Sequence, residues 1–376
     1  MKEKLGVGII GCGNISAAYL RLAPLFKGIE VVAVADQSAS AAEARANEFG
    51  VRALTVDGLL ADQAADIIVN LTVPAAHVEV SIKALAAGKH VYSEKPLALS
   101  LGDGKRLLDL ANSNGLRVAC APDTFLGGAH QQVRAAIDAG DIGTVVSGTA
   151  HVMGHGMEHW HPNPDFFFQP GGGPVLDMGP YYIAALINLI GPVKRVAALT
   201  GAGRKSRTIS SAPRMGEMIP VNVATTAHAL LQFASGALVT FSASWDVYAH
   251  KHPNMEIYGS AGALLVPDPN FFGGEIFEAG TDAQLKPLAG WNHPLGVANQ
   301  ESSHGPVANY RTAGLADLAA AIRDNRDARC SIERTLHGVD VMTGILRSGE
   351  TASFVDMTTT CTRPAALGID EAKAML

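Results

Sequence analysis

Short apolar runs alternate with helical spacings through the first third of this chain. Residues 5–10, 30–35, 66–71, 89–93 and 116–121 read as buried strands. Helical patterns fill the gaps. A turn at residues 11–16 opens a helix through Leu22, residues 39–49 form a second, and residues 75–87 a third. Val78, Ile82 and Leu85 share one face of the third helix, which Gly88 closes. Ser100 followed by Asp103 is a capping pair for a helix reaching Asn114. Strands joined by helices in this way pair in parallel through right-handed crossovers. Residues 1–122 are therefore expected to form a doubly wound parallel sheet of the α/β class.

The pattern changes from Asp123. Residues 127–139 and 179–190 read as helices, with Gly191-Pro192 ending the latter, and residues 144–152 as a strand. Strands then dominate, at 193–199, 223–233, 237–244, 255–258 and 263–267, with a hairpin turn at Ala234-Ser235-Gly236. Helices near 314–323 and 332–346 follow. Residues 123–376 are expected to be an α+β domain with a large, open, mostly antiparallel sheet. The stretch 201–220, carrying Arg204, Lys205, Arg207 and Arg214, reads as a long basic loop, either solvated or an arm reaching a neighbouring subunit.

Composition narrows the class. At 376 residues the chain exceeds one ordinary core, in keeping with two domains. Hydrophobic content of 48% against 17% charged residues describes a globular chain with much buried surface, subunit contacts included. A net charge of -6 argues against nucleic acid as a partner. Cys12, Cys120, Cys330 and Cys361 are scattered without a CxxC pair, which fits a reducing compartment. Met1-Lys2-Glu3-Lys4 before an apolar stretch imitates the head of a secretory leader. That stretch is short and interrupted by glycine, and Gly13 with the helical pattern beyond it completes a different motif. No run approaches the roughly 18 apolar residues of a spanning helix. The expectation is a cytoplasmic protein with no membrane partner.

The different motif is Gly11-Cys12-Gly13-Asn14-Ile15-Ser16, a GxGxxG turn with serine in the third place. The first two glycines permit a tight turn and the approach of backbone N–H groups to a pyrophosphate. The third place governs helix–strand packing, where a small serine is tolerated. Asp36 ends the next strand twenty residues beyond Ser16, the place for a carboxylate that accepts hydrogen bonds from an adenosine ribose diol. The same charge repels a 2′-phosphate, so NAD is favoured over NADP. Lys95 and Pro96 follow the strand at 89–93, at the sheet end where open α/β folds bind ligands.

With these pieces in place, the chain resembles the Gfo/Idh/MocA oxidoreductase family, the glucose–fructose oxidoreductase and inositol dehydrogenase group. The matching stretches are Gly8-Ile-Ile-Gly-Cys-Gly-Asn-Ile15, Thr72-Val-Pro-Ala-Ala-His77, Ala87-Gly-Lys-His-Val91 and Glu94-Lys95-Pro96-Leu97. Gly140-Asp-Ile-Gly143, Gly171-Gly-Gly173 and Asp177-Met-Gly-Pro-Tyr181 follow in the family's order. The resemblance implies a Rossmann domain and NAD(P)-dependent hydride transfer at a carbinol of a sugar, cyclitol or related polyol. It implies cofactor contacts from Gly11, Gly13, Asn14, Ile15, Asp36, Thr72, His77, Glu94 and Lys95. It also implies a cis Lys95-Pro96 bond, and a homodimer or homotetramer built through the C-terminal sheet.

Oxidising a secondary alcohol requires hydride loss to the nicotinamide and proton loss to a base within hydrogen-bond reach. The expected catalytic residues are Lys95, Asp177 and Tyr181. Tyr181 stands where the family often has histidine, and a phenol starting near pKa ~10 is favoured as phenolate by a close cation. Lys95 is the rival base, and the residues leave the two open. Expected substrate contacts are Lys95, Asp123, Trp160, His161, Asp177 and Tyr181. Asp123 lies in the stretch that replaces the family's usual aromatic-rich strand, and Trp160-His161 in a loop with Phe166, Phe167 and Phe168. His151, His155, His159 and His161 have helical metal-ligand spacing, but Gly154, Gly156 and Pro162 break a helix there, so no metal is expected. Two other readings stand beside the dehydrogenase. One is an NAD-dependent glycosidase or eliminase that oxidises its sugar transiently and recycles the cofactor. The other is a non-catalytic dinucleotide sensor on the same fold.

Overall fold

The computed structural model describes residues 3–302 and 305–376. Met1 and Lys2, which head the leader-like stretch, lie outside the described residues. The chain falls into two compact units, one comprising residues up to 128 with 292–339 and 364–376, the other 129–291 with 340–363. The late segments 292–339 and 364–376, expected in the second domain, thus pack with the first. The reason is a set of long-range backbone bonds. Cys120 N donates to the Cys330 carbonyl at 3.0 Å, and Ala119 forms a β-bridge with Ser331.

In the first unit the elements run β1 (Leu5–Ile10), α1 (Asn14–Leu22), β2 (Ile29–Ala35), α2 (Ala39–Phe49), β3 (Arg52–Leu54) and α3 (Val56–Ala61). They continue with β4 (Ile67–Asn70), α4 (His77–Ala86), β5 (His90–Ser93), α5 (Leu101–Ser113) and β6 (Val118–Cys120). All six strands are parallel, in the order β3-β2-β1-β4-β5-β6. Every residue of β1 and β4 is buried, as a central strand covered on both faces requires. The chain crosses from one side of β1 to the other between β3 and β4, which makes the carboxyl ends of β1 and β4 the switch point of the sheet. The Ser100 cap is present, since its Oγ accepts from Asp103 N at 3.1 Å and donates to Asp103 Oδ2 at 2.7 Å. β3 and α3 were not expected. They are short, and Arg52 and Ala53 are exposed, so neither offers a hydrophobic period to read.

The chain then gives α6 (Gly128–Ala139), β7 (Val145–Met153), α7 (Pro174–Asp177), α8 (Gly179–Ile190), β8 (Val193–Gly201), β9 (Ser206–Thr208) and β10 (Met218–Pro220). Next come β11 (Thr226–Phe233), β12 (Leu238–Ser244), β13 (Met255–Gly259), β14 (Ala263–Val266), β15 (Phe277–Ala279) and β16 (Lys286–Pro287). The last elements are β17 (Gln300–Ser302), β18 (Gly305–Val307), α9 (Ala313–Asp324), α10 (Ile332–Thr351), β19 (Val355–Asp356) and α11 (Ile369–Met375). A nine-stranded sheet, β16-β15-β14-β13-β7-β12-β11-β8-β19, forms the second unit and is antiparallel except between β7 and β12. One of its faces is covered. Ala227, Ala229, Leu231 and Phe233 of β11 are buried, and Tyr182 of α8 packs on Phe241 of β12. On the opposite face Leu199, Leu230 and Leu238 stand exposed.

The stretch 201–220 is more ordered than the expected basic loop, and of its four basic residues Arg207 alone is buried. It folds back as the β9/β10 ribbon around a small core of Phe168, Ile209, Ile219 and Trp245. Arg207 is buried at its base, paired with Glu158 at 2.9 Å and Asp246 at 2.5 Å, and donates to the His155 and Trp245 carbonyls. The guanidinium's two Nη atoms thus meet two carboxylates and two carbonyls, while its buried Nε meets no acceptor, so Arg207 is an internal charge held by its paired ends.

Candidate functional site

The first unit gathers most of the expected cofactor residues at the carboxyl ends of β1, β2, β4 and β5. Gly11 has φ +106°, and a Cβ there would lie 2.6 Å from the Leu71 carbonyl, so only glycine lets β1 turn against the strand-end of β4. Gly13 is the N-cap residue of α1 and no side chain closes that helix end. A Cβ on Gly13 would meet nothing within 4 Å, so this helix start borders open space. Asn14 and Ile15 are exposed beside it, whereas Ser16 is buried with its hydroxyl donating to the Gly13 carbonyl at 2.6 Å. The small third residue thus packs inward.

Asp36 stands at the end of β2 with its carboxylate tied to that turn. Oδ2 accepts from Cys12 N at 2.7 Å and Oδ1 from Ser38 N at 2.9 Å. Glycine turn, open helix N-terminus and adjacent carboxylate are the donor and acceptor set that a dinucleotide's pyrophosphate and ribose diol require, so these residues fit the cofactor. Arg45 of α2, which no local pattern singles out, also reaches the turn, its Nη2 donating to the Gly13 carbonyl at 3.3 Å. Burial, then the Asp36 charge, pushes the Cys12 thiol up to about 11, which disfavours its thiolate.

Lys95 follows β5 in a partly buried turn, and its bond to Pro96 is cis. Glu94 organises this turn. Its Oε1 accepts from the Tyr19 hydroxyl at 2.8 Å and its Oε2 from Lys95 N at 3.0 Å. Burial and the Glu94 charge hold the Tyr19 phenol well above its ordinary range, so it stays a donor. Thr72, partly exposed after β4, donates from Oγ1 to Asn70 Oδ1 at 2.7 Å.

Two expected ligand contacts turn inward instead. His77 is only 1% exposed, with Nδ1 2.7 Å from the Pro96 carbonyl and Nε2 3.0 Å from that of Thr72. Its ring is enclosed rather than presented at a cofactor's edge. Asp123 is also buried, and its Oδ2 accepts from Thr312 N at 3.0 Å and Gly314 N at 2.9 Å. It caps the start of α9, where a carboxylate meets unpaired N–H groups, and is not presented to a substrate. Burial raises its pKa against the lowering effect of those two N–H groups.

In the second unit Asp177 ends α7 and Tyr181 lies in the first turn of α8, both partly exposed. Gly179 between them packs closely on Met342, whose Sδ would lie 3.1 Å from a Cβ at that position. Trp160 and His161 occupy the loop after β7. Trp160 is 57% exposed and Phe166 51%, and His161 meets both rings edge-on at 5.3 and 5.4 Å. This is an accessible aromatic surface with a polar edge. The other histidines stack in pairs, His155 on His159 at 4.0 Å and His151 on His252 at 4.3 Å. Among the described residues no three His, Cys, Asp or Glu side chains gather as metal ligands.

Comparison with known proteins agrees with this architecture. Residues 5–121 match the model of the oxidoreductase family with an NAD-binding Rossmann fold, and residues 130–265 match that of the Gfo/Idh/MocA C-terminal domain. The chain is 29% identical over 331 residues to a dTDP-3,4-didehydro-2,6-dideoxy-alpha-D-glucose 3-reductase of Streptomyces violaceoruber, covering 85% of each. A protein of the same name from Saccharopolyspora spinosa is 30% identical over 71% of this chain and 75% of its own length. Inositol 2-dehydrogenase of Salmonella typhimurium is 33% identical over 144 residues, 37% of this chain and 43% of that protein. Levoglucosan dehydrogenase in complex with NADH and L-sorbose superposes with a TM-score of 0.81 at 22% identity, over 95% of this chain and all of that one, a likeness of fold. No helix among the described residues is long and apolar enough to cross a membrane. The chain belongs to the Gfo/Idh/MocA family and is an oxidoreductase with an NAD-binding Rossmann domain.

Proposed function

We propose that this protein is an NAD-dependent dehydrogenase acting on a carbinol of a sugar, cyclitol or related polyol. The observation that carries the reading is the Glu94-Lys95-Pro96 turn, braced by Tyr19 at the carboxyl end of β5, on the same sheet edge as the Gly11–Gly13 turn and Asp36. When bound, the dinucleotide takes up or supplies the hydride. Gly11, Gly13, Asn14 and Ile15 admit its pyrophosphate to the N-terminus of α1, Asp36 accepts its ribose hydroxyls, and Thr72, Glu94 and Lys95 line its path. Lys95, Asp177 and Tyr181 are the catalytic residues. Lys95 or Tyr181 takes the hydroxyl proton, and Asp177 orients its partners. Trp160 covers the apolar face of a sugar ring and His161 bonds its hydroxyls. The names of the relatives, a nucleotide-linked ketosugar reductase and an inositol dehydrogenase, support a sugar or cyclitol substrate and leave both directions to test. We further infer self-association through the exposed face of the nine-stranded sheet, and a cytoplasmic location, in keeping with cysteines scattered along the sequence without a CxxC pair.

A panel of free sugars, cyclitols and nucleotide-linked sugars, incubated with NAD and followed by NADH absorbance, tests the reading. Steady NADH formation supports it. Glycoside breakdown without NADH accumulation points to transient oxidation and elimination, and cofactor binding without turnover in either direction points to a sensor. Lys95→Met should lower kcat by several orders of magnitude, since positioning and proton transfer each contribute roughly 10²-fold or more. Near-normal turnover in that variant would reduce the turn to a structural one.

A further inference from the structure

Beneath the Lys95 turn lies a buried polar network that the proposed chemistry leaves unused. Asn70, the fully buried last residue of β4, donates from Nδ2 to the His77 carbonyl at 2.8 Å and to Ser81 Oγ at 3.0 Å. It accepts from Thr72 Oγ1, and its own carbonyl receives Glu94 N at 2.8 Å. Asn70 therefore links the strand-ends of β4 and β5, and the His77 ring repeats the link one layer out. Nδ1 meets the Pro96 carbonyl at 2.7 Å and Nε2 the Thr72 carbonyl at 3.0 Å. Carbonyls only accept, so the imidazole donates to at least one of them, and to both when both ring nitrogens carry protons. Pro96 has no N–H, so its carbonyl is the backbone group by which the far side of the Lys95 turn is held.

We propose that His77 is the positioning residue for Lys95, bracketing the loop at 72–76 and the turn at 94–96 into one rigid edge. The proposal rests on Lys95 acting at the reacting oxygen. His77→Phe keeps an aromatic ring but removes both nitrogens, whereas His77→Gln keeps one amide donor. The phenylalanine variant should lose about 10- to 100-fold in kcat, as a misplaced catalytic group does, while KM and the NAD dissociation constant by calorimetry stay within about threefold. The glutamine variant should recover part of the loss. In the NAD-free protein, amide hydrogen exchange at 72–76 and 94–97 should quicken in His77→Phe while that of α5 is unchanged. Wild-type kcat with unchanged exchange in His77→Phe, beside an inactive Lys95→Met, would sink the bracket alone. An equal loss of NAD binding and kcat would also overturn it, because the ring would then serve the cofactor. If His77→Phe fails to fold, wild-type turnover and exchange in His77→Gln still count against the proposal. Near-normal turnover of Lys95→Met would instead remove the reading on which it rests.

Discussion

In the proposed function Asp36 is the residue on which cofactor choice turns, because the carboxylate that braces the glycine turn would also accept the ribose diol. NAD should bind more tightly than NADP, and Asp36→Ala should erode the preference by about 10- to 100-fold, the worth of a charge-assisted hydrogen bond. Calorimetric titration of both cofactors checks it, and tighter wild-type binding of NADP would sink the assignment. Tyr181→Phe separates the two candidate bases. If Tyr181 is the base, kcat falls while thermal stability holds. If Lys95 is the base, the change mainly raises KM and leaves the alkaline limb of the pH profile in place. Unchanged kcat, KM and pH profile would remove Tyr181 from the site. At this scale the turn at Gly11 and Gly13 is legible in the sequence, because the backbone requirement it answers is local. His77 and Asp123 were misread because a chain does not state which way a polar side chain points. Both face buried backbone, a carbonyl pair for one and a helix start for the other.

Among the elements, α6 buries His130 and the β9/β10 ribbon buries Arg207. His130 of α6 is fully buried with Nε2 3.0 Å from the Phe271 carbonyl, and burial pushes it down to about 4 from the ordinary 6.5. The unfolded chain then binds more protons than the folded one between those values. Stability therefore rises with pH across that window and is lost as pH falls from about 6.5 toward about 4. His130→Gln should shrink that acid loss by up to about 3 kcal/mol, measured by urea unfolding at several pH values. An unchanged acid limb would show that other groups set it. Arg207→Met should destabilise by about 3–5 kcal/mol, because Glu158 and Asp246 would be left as uncompensated charges. Urea unfolding measures the effect, and a loss below 1 kcal/mol would mean that water reaches the pair. The helix over 39–49 is legible in the sequence, and in the structure Ser38 caps its start while Gly50, at φ 70°, ends it. The ribbon was taken for a loop, because its order comes from Phe168 and Trp245, distant in sequence.

For the whole molecule, the open sheet face is the feature with most to decide. Leu199, Leu230 and Leu238 are each more than half exposed on adjoining strands, a row that a second copy would cover. Leu230→Glu should shift the protein toward monomers in sedimentation velocity without altering its circular dichroism. A wild-type protein that is already monomeric at micromolar concentration would exclude this face as the interface. The sequence by itself determined the parallel first sheet, the antiparallel second sheet and the dinucleotide turn. Each rests on short-range periodicity, on glycine where backbones must approach, and on the fixed offset from Gly11 to Asp36. Only the tertiary structure decided that residues 292–339 and 364–376 complete the first unit, that Arg207 is an internal charge, and that the His77 ring faces two backbone carbonyls. The first two outcomes depend on pairings between residues tens to hundreds of positions apart, and the third on carbonyls 19 and 5 positions from the ring. Burial then determines whether a polar group meets water, a ligand or the protein's own backbone.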